Sequence, residues 1–412
     1  MTQTEAQTDS TAAAPRLTAA YWRLWWAAGI NNVGNGAFAA ALPLLAVALT
    51  RNPLLVSAVA ASTYLPWLLL SFPAGALVDR HDRAVVMSRA QTLQAVIVGA
   101  VAVLVAIHRM DIAILIIAAF CLGAGEVVFG NASQAILPDI VAKPLLYRAN
   151  GAQQTVTILG QQFAGPPTGS LLIALAKALP FGLDAVSFAV SSALLGTLPR
   201  TSRPGADHPP MRAAITDGLR WLRRHRLLRT LAMLVGVNNF CGQLGWATLV
   251  LLATQTLHLS TRGFGILLSG AAIGSLLGSL VNARIVKAIG PLPALFTSLT
   301  VNVAVFLAMG ASPNAVVLGA LMAANGFVTM LWNIVTVSLR QDIVPSELLG
   351  RVNSVYRMLS WGLIPLGALA GGLVAHEFGL RAPYPVAGAL RGIALLFAAP
   401  VLIRAMRDHV AS

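Results

Sequence analysis

Twelve stretches of this sequence run apolar for about 18 residues or longer, and each is long enough to cross the hydrocarbon of a bilayer as a helix. They lie near 24–48, 55–78, 84–107, 112–133, 152–175, 180–198, 230–253, 263–286, 292–310, 315–336, 354–375 and 385–403. A membrane β-barrel would instead show segments of about 10 residues with alternating polarity. Several runs contain proline, among them Pro66, Pro73, Pro166 and Pro365. Membrane helices tolerate proline because neighbouring helices satisfy the freed backbone groups. Only 10% of the 412 residues are charged and 57% are hydrophobic. A soluble domain carries about 25% charged residues, so a water-soluble enzyme is excluded. The formal charge of +14 does not signal nucleic-acid binding, because the basic residues sit between apolar runs and form no exposed face with interleaved aromatics. Cys121 and Cys241 each fall inside an apolar run and define no disulfide framework. The polar first 15 residues lack the pattern of a cleaved leader, so the first span is expected to act as its own targeting signal.

The loop charges set an orientation. With a cytoplasmic N-terminus, only Arg51, Arg109, Lys177, Arg262, Arg381 and Arg391 of the 28 basic residues fall outside. That asymmetry predicts both termini inside and an even number of spans. The longest polar interval, 199–229, divides the spans six and six. Its second half places Leu219, Trp221, Leu222 and Leu227 among arginines. It reads either as an amphipathic helix on anionic headgroups or as a plain basic linker. The expected organisation is a tail at 1–20, a six-helix bundle at 21–198, the cytoplasmic linker 199–229, a second bundle at 230–403 and a tail at 404–412.

The two halves repeat. Gly75-Ala-Leu-Val-Asp79 returns as Gly278-Ser-Leu-Val-Asn282, 203 residues on. Asp139-Ile-Val141 and Asp342-Ile-Val344 keep that offset, as do Leu145-Leu-Tyr-Arg148-Ala-Asn150 and Leu348-Leu-Gly-Arg351-Val-Asn353. Asn31-Asn32 and Leu44-Leu45-Ala46 match Asn238-Asn239 and Leu251-Leu252-Ala253 at an offset of 207. Parallel six-helix repeats imply a pseudo-two-fold axis along the membrane normal, with a substrate site near the midplane between halves.

Between the second and third spans, Gly75-Ala-Leu-Val-Asp79-Arg80-His-Asp82-Arg83-Ala84 resembles the signature loop G-x-x-x-D-R-x-G-R-K of the major facilitator superfamily. The resemblance extends over about residues 20–405. It implies two pseudo-symmetric six-helix bundles, all α, that work by alternating access. The loop would be a charge cluster at the cytoplasmic mouth that latches the halves in one state. Asp82 stands where the family has glycine, and Ala84 where it has a base. In the fifth span Gly165-Pro166-Pro-Thr-Gly169-Ser170 is similar to the G-P-x-x-G-G core of exporting members, with Ser170 in place of the last glycine. It reads as an export motif or as close helix packing. Glu126…Leu137-Pro138-Asp139-Ile-Val141…Arg148-Ala-Asn150 and Leu183-Asp184-Ala-Val-Ser187-Phe188 resemble the branch of enterobactin-exporter-like and macrolide-efflux-like transporters. That likeness implies proton-driven extrusion of a moderately sized organic molecule.

Glu126 lies well inside the fourth span, where an acid is costly and usually serves an ion or proton pathway. It is the expected proton-coupling residue, or else a static partner for Arg89 or the loop charges. The family's R-x-x-x-x-G proton motif is absent from that span. Asp184, near the outer end of the sixth span, reads first as a helix-start or interfacial residue. Asn31 and Asn35 of the first span share a helix face, as do Asn239, Gln243 and Trp246 of the seventh and Asn325, Thr329 and Asn333 of the tenth. The resemblance points these faces into a central cavity, where amides beside Trp suit an amphipathic ligand. Helix-to-helix hydrogen bonding is the competing reading. Gln161 and Gln162 are weaker candidates.

No phosphate-binding G-x-x-x-x-G-K-[ST] loop, metal-ligand spacing or nucleophile motif occurs, so no cofactor, metal or catalytic residue is expected. The expected partners are a small-molecule substrate, protons and the lipid bilayer, with no nucleic acid, and the chain is expected to be a monomer in the cytoplasmic membrane. The expected activity is export of a hydrophobic or amphipathic molecule (drug, antibiotic or siderophore-like) in exchange for protons. Import of a small metabolite and flipping of lysophospholipid are the alternatives.

Overall fold

The polar residues that separate the apolar runs start the helices. Thr18, Asn52, Asp82, Asp111, Ser260 and Asn314 each accept a backbone N–H of the helix that follows, from Tyr21, Leu54, Val85, Ala113, Gly263 and Val317 respectively. Such caps satisfy donors that a helix start leaves free. Asp82 therefore has a local reason to replace a glycine: it caps the third helix.

The computed structural model describes residues 17–199 and 219–411, helical nearly throughout and with no strand among them. In chain order the helices are α1 (Ala19–Leu49), α2 (Pro53–Arg80), α3 (Arg83–Ala106), α4 (Ile112–Ile140), α5 (Leu146–Ile158, Leu159–Ala164 and Gly165–Leu175) and α6 (Leu179–Gly196). A second set follows: α7 (Arg226–Thr256), α8 (Thr261–Ile289), α9 (Pro291–Gly310), α10 (Ala315–Ile343), α11 (Ser346–Gly362 and Ile364–Phe378) and α12 (Pro383–Ala411). By length and hydropathy, 11 helices among the described residues suffice to cross a membrane. The exception is α5, whose central turn, Leu159–Ala164, widens into a π-helix just before Pro166. Proline offers no N–H to the preceding turn, and a π turn takes up the mismatch. Hydropathy does not report this break.

The expected tail and linker fall partly outside the described residues, at 1–16 and 200–218. The end of the linker is seen as a short helix over 219–224. Its Leu222 is buried against the core of the second half together with Leu228, Leu231 and Tyr356, and Trp221 stacks on His225. Part of the apolar face expected to lie on lipid is therefore covered by protein.

The sequence repeat is repeated in bonds. In the first half Tyr21 of α1 donates its hydroxyl to the Ala149 carbonyl of α5 at 3.1 Å. In the second, Tyr356 of α11 donates to the Leu228 carbonyl of α7 at 2.6 Å, the same pair of helices with donor and acceptor exchanged. Asn32 of α1 donates to Thr157 of α5 at 3.3 Å, and Asn239 of α7 donates to the Ser360 carbonyl of α11 at 3.0 Å. Within each half the second helix packs on the fourth and the third on the sixth. Two pseudo-symmetric bundles result. Tyr21→Phe and Tyr356→Phe are each expected to cost about 1 kcal/mol, the net worth of a buried hydrogen bond. Equal small drops in apparent melting temperature in detergent would show it.

The halves meet along α2–α11 and α5–α8. Near the α1–α2 turn, a methyl on Gly372 of α11 would press on Ser57 of α2, and one on Gly265 of α8 would press on Ser170 of α5. Small residues let these helices approach closely where lipid supplies no hydrophobic drive. Towards the other end Trp67 of α2 stacks on Trp361 of α11, ring centroids 4.9 Å apart, and Arg357 donates to Gln134 at 3.1 Å.

Candidate functional site

Between the halves lies a cavity of about 410 Å³, walled by α1–α6 on one side and by α7, α8 and α11 on the other. Most of its wall is apolar or aromatic, with Phe38, Tyr64, Trp67, Trp246, Phe264 and Trp361 prominent. Asn35, Gln94, Glu126, Gln161, Asp184 and Gln243 supply side-chain polarity.

Glu126 stands fourteen residues from either end of α4, about 21 Å along the axis at 1.5 Å per residue. It is half-buried, and its carboxyl opens on the cavity. The amides of Asn35 on α1 and Gln94 on α3 face that carboxyl. Gln94 reaches it because Gly125 has no side chain, where a methyl would come within 2.6 Å of the glutamine stem. Its Nε2 donates to the Leu122 carbonyl at 3.2 Å. The static partner Arg89 is not in the cavity wall.

Asp184 corrects the reading of it as a helix-start or interfacial residue. It is 1% exposed and belongs to the cavity wall that Glu126 also lines. Ser187, one turn on, donates to its carboxylate at 3.2 Å. Gly34 of α1 makes room for both, since a methyl there would meet Asp184 Oδ1 at 2.5 Å. Position near a helix end suggested an interface, but α6 packs on α1 and α3, and Gly34 of α1, remote in sequence, lies against Asp184.

The polar faces divide. Asn35, Gln243 and Trp246 line the cavity. Asn239 spends its amide on Ser360, and Asn325 accepts from Asn302 at 3.0 Å. Asn31 is buried outside the wall, while Thr329 and Asn333 are exposed and also outside it. Helical spacing identifies a polar face without saying whether a cavity or another helix meets it. Sequence reasoning missed Tyr64, Trp67 and Trp361, which no pattern separates from lipid-facing aromatics.

At the signature loop, Gly75, Asp79 and Arg80 occupy the last turns of α2. Arg83 pairs with Asp139 at 2.5 Å and donates to the Ala135 carbonyl at 2.9 Å, tying α3 to α4 within one half. In the fifth helix a methyl on Gly165 would collide with Gly36 of α1, and one on Gly169 with Ala37, so Gly165-Pro166-Pro-Thr-Gly169 is where α5 presses on α1. Arg391, counted with the outer loops from sequence, lies inside α12 and is 8% exposed. Its guanidinium donates to Asn302 and to the Asn238 carbonyl and sits over the Phe306 ring, 3.8 Å from the centroid. Those amides and the ring accommodate the charge in the bundle.

Among the described residues, no group of His, Cys, Asp and Glu has the geometry to hold a metal ion.

The sequence profile of the family described as transmembrane secretion effector matches residues 10–411. The multidrug efflux pump Tap of Mycolicibacterium fortuitum is 28% identical over 376 residues, 87% of this chain and 90% of that one. Among solved structures, the nucleoside transporter NupG superposes with a TM-score of 0.73 at 14% identity, covering 94% of this chain and 99% of the other. A bacterial homologue of the iron transporter ferroportin, in an inward-facing state, gives 0.72 at 17% identity over 93% and 98%. With its duplicated bundles, central cavity and full-length profile match, the chain belongs to the transmembrane secretion effector family of the major facilitator superfamily, and is a multi-pass membrane transporter of small molecules, not an enzyme.

Proposed function

We propose that this protein is a proton-driven exporter of hydrophobic or amphipathic drug-like molecules. The observation that carries the reading is Glu126: a carboxyl half-way along a membrane helix, open to a cavity that both halves wall and that has no basic side chain among its described lining residues. An intramembrane acid with no cationic partner at its site is suited to bind and release a proton as access alternates. The likeness to a multidrug efflux pump over most of both chains supports export, and the aromatic wall suits large apolar ligands. Gly165, Pro166 and Gly169 would serve the rocking of α5 on α1, and Gly75, Asp79, Arg80 and Arg83 the cytoplasmic latch.

The protein would sit in the bacterial cytoplasmic membrane as a monomer with both termini inside. Bundles at 21–198 and 230–403 would be joined by the cytoplasmic linker 199–229, with tails at 1–20 and 404–412. The contacts near the α1–α2 turn would then close the outer side. The test is accumulation of a panel of fluorescent drugs, charged and neutral, by cells with and without the protein. Expressing cells are expected to hold less of at least one drug, and a protonophore should erase the difference. Export that survives the protonophore would rule out proton coupling.

A further inference from the structure

α1 is 31 residues long, about 46 Å at 1.5 Å per residue, and the hydrocarbon of a bilayer is about 30 Å thick. Shared between the two ends, the excess places the first turns of α1 near headgroup level, the depth at which membrane proteins gather tryptophan. Trp22, Trp25 and Trp26 stand there. Trp25 turns inward and donates its indole N–H to the Ala152 carbonyl of α5 at 3.1 Å. Trp22 and Trp26 turn outward, 44% and 59% exposed, and neither indole N–H has an acceptor among the described residues. Trp25 meets both edge-on, its ring centroid 5.7 and 5.0 Å from theirs. An inward anchor thus holds the two outer rings in place.

The outer rings wall a groove. Between α1 and α6 runs an open apolar furrow of about 620 Å³, lined by Trp22, Trp26 and Ile30 of α1 and by Val190 and Leu194 of α6. At its headgroup end stands Arg23, exposed, with Nη1 donating to the Thr197 carbonyl just beyond α6 at 3.0 Å. That bond fixes the guanidinium at the mouth and leaves its other N–H groups to face outward. The described lining contains no acid, and Arg23 is paired with none among the described residues. From Arg23 to Ile30 the groove descends seven residues, about 10 Å, in the direction an acyl chain takes below its headgroup.

The duplication supplies an internal control. At the offset of 207 that aligns Asn31-Asn32 with Asn238-Asn239, Trp22, Arg23, Trp25 and Trp26 correspond to Arg229, Thr230, Ala232 and Met233 of α7. The bundle is built twice and these tryptophans occur once, so the packing of the first helix does not require them.

We infer that the groove between α1 and α6 is a binding site for one anionic phospholipid, with the phosphate on Arg23 and an acyl chain between Trp22, Trp26 and α6. A guanidinium offers paired N–H donors to phosphate oxygens, and its unopposed charge favours a headgroup of net negative charge. The two outward indole N–H groups are placed to donate to the glycerol and ester oxygens just below. One lipid so bound bridges the start of α1 and the end of α6. The site lies outside the central cavity and does not depend on what the protein exports.

The test is native mass spectrometry of the intact protein, stripped of lipid in detergent and titrated with phosphatidylglycerol or phosphatidylcholine of the same acyl chains. The first phosphatidylglycerol is expected to bind at least about fivefold more tightly than phosphatidylcholine, the scale on which one arginine acts near an anionic surface. Arg23→Gln should weaken phosphatidylglycerol by about that factor and phosphatidylcholine by less, so that the preference disappears. Trp26→Ala removes a wall of the acyl groove and should weaken both lipids. Arg262→Gln removes an exposed arginine at the start of α8 instead and should keep the wild-type preference. Equal melting temperatures of the lipid-free proteins would show that Arg23→Gln is folded; if it melts early, Trp26→Ala carries the test. Equal wild-type affinities for the two lipids, a preference that survives Arg23→Gln, wild-type binding of both lipids by Trp26→Ala, or an equal loss in Arg262→Gln would each overturn the inference. So would a dimer that Trp26→Ala separates and phosphatidylglycerol does not, which would give the groove to a second copy of this chain.

Discussion

Glu126→Gln is expected to abolish uphill transport. The substitution keeps the shape of the side chain and the hydrogen bonds an amide can make with Asn35 and Gln94, but removes the ionisable group. Accumulation driven by a pH gradient in proteoliposomes should fall at least about 100-fold, the scale on which losing a positioned proton-transfer group acts. Exchange of labelled substrate down its own gradient should persist, because the cavity and the bundles that enclose it are unchanged. This pattern, coupling lost with passage retained, distinguishes a proton carrier from a residue that only props the helices apart. Asp184 belongs to the same wall, but at 1% exposure it is nearly sealed, so it is not expected to take over from Glu126. Retained uphill transport in Glu126→Gln would remove Glu126 from the coupling mechanism.

Legibility followed the range of the interaction. Helices came from runs of local apolarity, and the halves from short matches between segments about 200 residues apart, so both could be read along the chain. The paired bonds of Tyr21 and Tyr356 confirm that the duplication extends to the packing of the first helix of each half on its fifth. Glu126 was legible because an acid is out of place in hydrocarbon wherever its partners are. Asp184 was not, since its meaning depends on Gly34 and Glu126, 150 and 58 positions away. Arg391 was misplaced for the same reason, as its accommodation depends on Asn302 and Phe306 of α9. Asn239 and Gln243 show the limit most sharply. They lie one helical turn apart, yet Asn239 bonds to Ser360 while Gln243 faces the cavity. The path of α11 past α7 decides this, and the spacing of residues within α7 carries no information about it.

The glycines of α5 lead to the other large effect. At Gly169 a Cβ would be driven into the backbone of Ala37, which cannot turn aside as a side chain can. Gly169→Ala should therefore force α5 off α1, and overpacking of this kind costs about 1–3 kcal/mol. A valine in the same place adds bulk towards the same backbone and should reduce the yield of folded protein severely. Gly182, in α6, supplies the control: nothing lies within 4 Å of the position a methyl would take there. With no contact to disturb, Gly182→Ala should gain the roughly 0.5–1 kcal/mol by which alanine exceeds glycine within a helix. The same change of residue, made in two helices of one bundle, is thus expected to move the apparent melting temperature in opposite directions. Because α5 also forms part of the cavity wall and contacts α8 across the interface between halves, any Gly169→Ala protein that does fold should transport more slowly as well. If Gly169→Ala were as stable and active as the wild type, the close seat of α5 on α1 would have no structural role, and Gly165-Pro166-Pro-Thr-Gly169 would lose its standing as a packing motif.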